Sequence, residues 1–149
     1  MTINQKFLGR VEQVLGELKE KLKSDFVVFG SAPLYLLGVL EFKEDFNDLD
    51  IAIRDLSFVP KDAKQVCFRG DPNQKLYKIK IKDIFVDIGS AWPGQEEIFE
   101  KIFTNPIVVK GFKFANLDVC EEWKESIVKK YGREKDKIHL QKIKEYKLK

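Results

Sequence analysis

The sequence predicts an α+β fold, with its sheet first and its helices last. Three observations carry this. Short apolar runs, several with alternating side chains, recur between Phe26 and Ala115. Apolar residues repeat at helical spacing near the N-terminus and again beyond Asn116. No internal repeat and no low-complexity linker interrupts the 149 residues, a length that suits one domain able to bury a core. The expected division is a sheet-bearing core over residues 5–115 and C-terminal helices over 116–148.

The elements follow in order. Phe7, Leu8, Val11, Val14, Leu15, Leu18 and Leu22 share a helical face, which predicts an amphipathic helix over 4–23. Ser24-Asp25 break it, and Phe26–Phe29 reads as a short buried strand. Gly30-Ser31 form a turn into a helix over Ala32–Leu40, with Pro33 tolerated in the first turn. Glu41–Asn47 is a charged loop. Asp48–Ile53 alternates, with Leu49, Ile51 and Ile53 on one face and Asp48, Asp50 and Ala52 on the other. Residues 54–64 are ambiguous, with a short helix expected after Pro60. Gly70-Asp71-Pro72-Asn73 is a dense turn signal. Lys75–Lys82 and Ile84–Ile88 read as strands joined by a hairpin turn at Lys82-Asp83. Gln95–Phe103 is a helix, and Ile107–Lys110 and Phe112–Ala115 flank Gly111 as a small hairpin. Asn116 caps a helix over Leu117–Tyr131. Gly132 ends it, and Glu134–Tyr146 forms the last helix.

Composition excludes several classes. With 44% apolar and 34% charged residues the chain reads as globular rather than disordered. No apolar run approaches the ~20 residues of a membrane span, and MTINQKFLGR has no apolar signal core, so a cytoplasmic location is expected. Cys67 and Cys120 lack metal spacing and read as two buried thiols. The single histidine, His139, rules out a His-rich metal site. A net charge of +3 does not identify a nucleic-acid binder. The stretch from Lys124 to Lys149 is nonetheless basic, either a seat for phosphates or a solvated helix face.

The chemistry-bearing pattern is Phe29-Gly30-Ser31, then Asp48-Leu49-Asp50-Ile51, then Val86-Asp87-Ile88. Asp48 and Asp50 project from one strand face, and Asp87 sits on another strand among apolar neighbours. If the strands adjoin, three carboxylates converge. Two such charges ~4 Å apart cost on the order of 4 kcal/mol at an effective dielectric near 20, and protonation or a bound cation relieves this. Hard ions such as Mg²⁺ take oxygen ligands and leave places for phosphate oxygens. Gly30 lets backbone approach a ligand, and Ser31 offers a hydroxyl and an N–H where a helix begins. Each residue also has a plain structural role available: turn capping for Asp48 and Asp50, a surface strand position for Asp87, and an ordinary N-cap for Gly30-Ser31.

This ordered set resembles the nucleotidyltransferase superfamily of the polymerase-beta type. It looks nearest to small stand-alone prokaryotic members, including the abortive-infection toxin-like group. Trp123-Lys124 and Gly132-Arg133-Glu134-Lys135-Asp136 resemble, more loosely, a Lys-bearing helix followed by Gly-Arg-x-Lys-Asp. The resemblance covers roughly residues 5–146. It implies a mixed or antiparallel sheet flanked by helices with a C-terminal helical segment. It also implies Mg²⁺ or Mn²⁺ on Asp48, Asp50 and Asp87, and a triphosphate gripped by Gly30 and Ser31. Asp87 would help deprotonate an acceptor hydroxyl, and Lys124 and Arg133 would neutralise phosphate charge. The sixteen residues between Ser31 and Asp48 exceed the minimal pattern, the excess being the Glu41–Asn47 loop.

The expected activity is transfer of a nucleoside monophosphate from an NTP such as ATP to an acceptor hydroxyl, with pyrophosphate release. The acceptor class, RNA, protein or small molecule, stays open. The competing reading is a catalytically silent nucleotide-binding or toxin–antitoxin module with an antitoxin or helical partner. A third is hydrolysis of phosphoesters at the same acids. Lys124 and Arg133 divide between phosphate contact and surface ion pairing, Asp136 reads as a first-turn acid favoured by the helix dipole, and Trp92 and Trp123 read as core or edge aromatics.

Overall fold

The computed structural model describes residues 2–149. Helix α1 (Gln5–Leu22) opens at Asn4, whose side chain accepts from the Lys6 and Phe7 backbone N–H groups, and it buries all seven of the predicted apolar residues. Strand β1 (Val27–Phe29) and helix α2 (Ala32–Leu36) follow, then β2 (Asp48–Ala52), β3 (Lys64–Cys67), β4 (Lys75–Ile81) and β5 (Ile84–Gly89). Helix α3 (Glu96–Ile102), the hairpin β6 (Ile107–Val109) and β7 (Phe112–Phe114), and helices α4 (Leu117–Tyr131) and α5 (Glu134–Lys147) complete the chain. The order is α+β, and none of these helices is long and apolar enough to cross a membrane.

The seven strands form one mixed sheet in the order β3-β4-β5-β2-β1-β7-β6. The central pair β2 and β5 runs parallel, with Asp50 beside Asp87, while β1 lies antiparallel to β2, with Phe29 beside Asp50. Strand β7 joins β1 in parallel. Alternation along the strands sends the two sheet faces into different cores. Val28, Leu49, Ile51, Val86 and Phe114 pack under α1. Val27, Phe29 and Ala52 face residues of α3, α4 and α5, including Phe99, Val119 and Ile143. The face that carries Asp48 and Asp50 is this second one.

Several expectations need correction. Helix α2 ends at Leu36, not Leu40, because Gly38 takes a φ of +77° and the N–H groups of residues 37–40 fold back onto carbonyls of Pro33, Leu34 and Tyr35. The ambiguous stretch 54–64 holds a single 3₁₀ turn, Leu56–Phe58, before Pro60 rather than a helix after it. Strand β3 escaped notice because Lys64-Gln65-Val66-Cys67 is an edge strand with one half-buried apolar residue. That edge leaves Cys67 exposed, whereas Cys120 is buried as expected, its thiol pushed up to about 12 by burial. The Lys82-Asp83 turn, the Asn116 cap and the Gly132 stop all form as read.

Candidate active site

A cleft of about 360 Å³ opens above the second sheet face, and all seven site residues named from the sequence line it: Gly30, Ser31, Asp48, Asp50, Asp87, Lys124 and Arg133. The parallel register of β2 and β5 is what brings the acids together, since it sets Asp87 directly beside Asp50 with both side chains on one face. One carboxylate oxygen from each of Asp48, Asp50 and Asp87 lies within 4.8 Å of the others. Burial pushes Asp50 up to about 7, aided by the neighbouring charges of Asp48 and Asp87. Burial also raises Asp87, with Asp48 adding and Lys78 opposing. At the exposed start of β2, Asp48 is raised by the protein packed about its carboxylate, against Lys78, Lys135 and Arg133.

The bend beside this trio is shaped for it. Gly30 has a φ of +74°, and a Cβ there would come within 2.5 Å of Asp50 Oδ2. A side chain at position 30 is therefore excluded twice, by backbone and by the carboxylate. Ser31 stands at the N-cap of α2 without making a side-chain cap. Its Oγ instead accepts from Lys124 Nζ at 2.9 Å and lies 3.3 Å from His139 Nδ1. Burial, then the nearby lysines, bring His139 down to about 4, so its ring is neutral at pH 7.

Lys124 corrects its surface ion-pair reading, and Asp136 goes beyond its first-turn one. Lys124 is 3% exposed and donates to Asp136 Oδ1 at 2.9 Å, while Asp136 is 1% exposed. Arg133 Nε donates to Asp136 Oδ2 at 2.7 Å. Asp136 does occupy the first turn of α5, but the interaction that keeps it ionised is with two cations rather than the helix dipole alone. Burial disfavours its charge, and hydrogen bonds from Arg133 and Lys124 overcome this to hold it at about 2. Lys124 is itself lowered by burial, with Asp136 and Asp50 opposing. The cleft thus keeps Lys124 fixed and Arg133, about a third exposed, at its wall.

The sequence reading missed Lys78, which pairs with Asp87, and several residues that line the cleft. Lys78 reaches to 3.3 Å from Asp87 Oδ1. Its signal was present, because a two-residue turn at Lys82-Asp83 pairs Ile81 with Ile84 and so Lys78 with Asp87. The cleft itself is lined by Lys135, Gln74, Gln95, Phe68 and Tyr131, which no local motif distinguishes. The Glu41–Asn47 loop supplies part of the rim through Phe46 and Asn47, and Arg10 of α1 donates to the Phe46 carbonyl at 3.0 Å and to both oxygens of Asp83. Trp92 is buried against Phe29, Phe99 and Trp123 and also lines the cleft.

The acid trio can hold a hard divalent cation. Its donors are all carboxylate oxygens, the ligand type such ions take. Asp87 Oδ1 is buried with no hydrogen-bond partner, since Lys78 stands at ion-pair distance without bonding geometry. A buried acceptor without a hydrogen bond, beside two further acids, is a position that a cation relieves. Compared with models of protein families, with curated proteins and with solved structures, the chain has no match.

Proposed function

We propose that this chain is a metal-dependent nucleotidyltransferase on a polymerase-beta-like fold, moving a nucleoside monophosphate from an NTP to a hydroxyl acceptor. The observation that carries the reading is the grouping of Asp48, Asp50 and Asp87 oxygens within 4.8 Å, beside the Gly30-Ser31 bend. Asp48, Asp50 and Asp87 would hold Mg²⁺ or Mn²⁺, and such an ion, when bound, supplies charge stabilisation to the attacking and leaving oxygens of an in-line displacement.

The chain's own groups account for the remainder. Gly30 exposes backbone to the polyphosphate. Ser31, its hydroxyl held by Lys124 and His139, lines the same wall. Asp87 takes the proton of the acceptor hydroxyl as that oxygen bonds to the α-phosphorus. The bond from the α-phosphorus to the bridging oxygen breaks, and pyrophosphate leaves with the electron pair. Arg133 and Lys135, which line the cleft, would offset the negative charge that accumulates during that departure, and a cation already in place needs no reorganisation.

The test is pyrophosphate release with each NTP and Mg²⁺, using whole-cell extract as the source of acceptor. Asp48→Asn and Asp50→Asn are expected to abolish release and most Mg²⁺ binding while leaving the circular dichroism spectrum unchanged. Label transferred from the α-phosphate identifies the acceptor. Undiminished release by both variants would overturn the reading, as would phosphoester cleavage without NTP.

A further inference from the structure

The cleft has a second chemical character that the acids and cations do not use. Phe29 flanks Asp50 in the sheet register, and beyond it the wall turns aromatic. Phe29, Trp92 and Trp123 contact one another with centroids 5.1–5.2 Å apart. Along α4, Trp123, Ile127 and Tyr131 recur at four-residue spacing and all line the cleft. Phe68, ahead of β4, closes on Tyr131 at 5.2 Å. The same cleft holds a buried polar atom without a hydrogen-bond partner. Gln95 lines the cleft and is 7% exposed, and its side-chain carbonyl oxygen makes no hydrogen bond.

The loop carrying Gln95 is held in place. Gln74, itself 5% exposed, donates from Nε2 to the Pro93 carbonyl at 2.8 Å. The Gln95 N–H bonds to the Trp92 carbonyl at 3.0 Å. Gly89 permits the close seat of Trp92, because a Cβ there would run into the indole. Only the terminal amide of Gln95 remains free to adjust, and that torsion is soft. A buried acceptor beside an aromatic wall is satisfied by a ligand that is planar, apolar on its faces and carries an N–H at its edge. Nucleobases have that description, and they stack on aromatic walls without regard to identity.

We propose that the lobe formed by Phe29, Trp123, Ile127, Tyr131 and Phe68 seats the nucleobase of the NTP, with the Gln95 carbonyl accepting an N–H from the edge of the base. The assignment rests on the nucleotidyl-transfer reading for the placement of the phosphates near Asp50. It goes beyond that reading by making Gln95 a specificity-determining contact. The triphosphate and the base then occupy adjoining parts of one cleft, because Phe29 and Asp50 are register partners and Trp123 precedes Lys124.

The protein supplies its own probe, since its two tryptophans both line this lobe. Titrating the full chain in Mg²⁺ with each of the four NTPs, with a nucleoside alone and with inorganic tripolyphosphate separates the parts. At least one NTP is expected to bind about tenfold tighter than tripolyphosphate, a difference of about 1.4 kcal/mol, and to change tryptophan emission, while tripolyphosphate binds without changing it. Gln95→Leu is expected to erase most of that advantage and leave tripolyphosphate affinity unchanged. If all four NTPs bind no tighter than tripolyphosphate and emission is constant, the base assignment fails while the phosphate reading stands. If a nucleoside alters emission but tripolyphosphate does not bind, the lobe is upheld and the phosphate reading fails. An undiminished NTP advantage in Gln95→Leu overturns the Gln95 assignment, and Gln95→Met supplies the same comparison should the leucine variant not fold.

Discussion

Asp50 is buried between two further acids, and its titration is open to direct measurement. Its carboxyl sits at about 7 in the fold against 3.8 unfolded, by burial first and by Asp48 and Asp87 second. The folded state therefore binds more protons than the unfolded chain between those values, so the contribution of Asp50 to stability is fully present below about 4 and is lost as pH rises to about 7. In metal-free buffer, the melting temperature of wild type relative to Asp50→Asn is expected to fall across that window and flatten above it. A constant difference would show that Asp50 titrates normally. Gly30 supplies a second test at this scale. Gly30→Ala places a methyl group 2.5 Å from Asp50 Oδ2 on a backbone with φ +74°, which is expected to cost about 1–3 kcal/mol in urea unfolding. The same variant is expected to weaken Mg²⁺ binding, because the carboxylate must move aside.

At the scale of elements, Lys124, Arg133 and Asp136 lock α4 and α5 together beneath the cleft. Asp136→Ala leaves buried Lys124 without its counter-ion and is expected to destabilise by about 3–5 kcal/mol. Lys124→Met combined with Asp136→Leu removes both charges and is expected to recover most of that loss in thermal melts while abolishing pyrophosphate release, because Ser31 loses the Lys124 donor. Recovery of both would make the pair purely structural. The readability of elements in the sequence followed the strength of their local signals. Helix α1, the β4–β5 turn and the Asn116 cap were plain because seven apolar residues at one spacing, a two-residue turn and an Asn before a helix each act locally. Strand β3 was hidden because an exposed edge strand needs no apolar alternation. The depth of Asp136 was hidden for another reason: its partners Lys124 and Arg133 come from a different helix and a helix boundary, and only their packing turns a first-turn acid into a buried one. The acid trio lay between these cases. Asp48 and Asp50 shared a face by strand period alone, whereas the approach of Asp87 depended on the parallel β2–β5 pairing, which alternation does not specify.

Across the whole molecule, the sheet divides two tasks between its faces. The α1 side is an apolar core around Leu15, Ile51 and Phe114, and the opposite side carries the cleft. Leu15→Ala, at a site with no exposed surface, is expected to lose about 2–5 kcal/mol in chemical denaturation. Activity per folded molecule is expected to persist, since Leu15 lies across the sheet from the acids. A parallel fall in specific activity would mean that the two faces are mechanically coupled. The position of Asp50 and Asp87 within the sheet carries a consequence of its own. Strands β2 and β5 each have a paired neighbour on both sides, so their amides should be among the last to exchange with deuterated water. Side chains mounted on so stiff a floor cannot part to admit a substrate. Whatever breathing the entrance requires must come from its rim, chiefly the Phe46 loop tethered by Arg10, and deuterium uptake should be quick there and slow beneath.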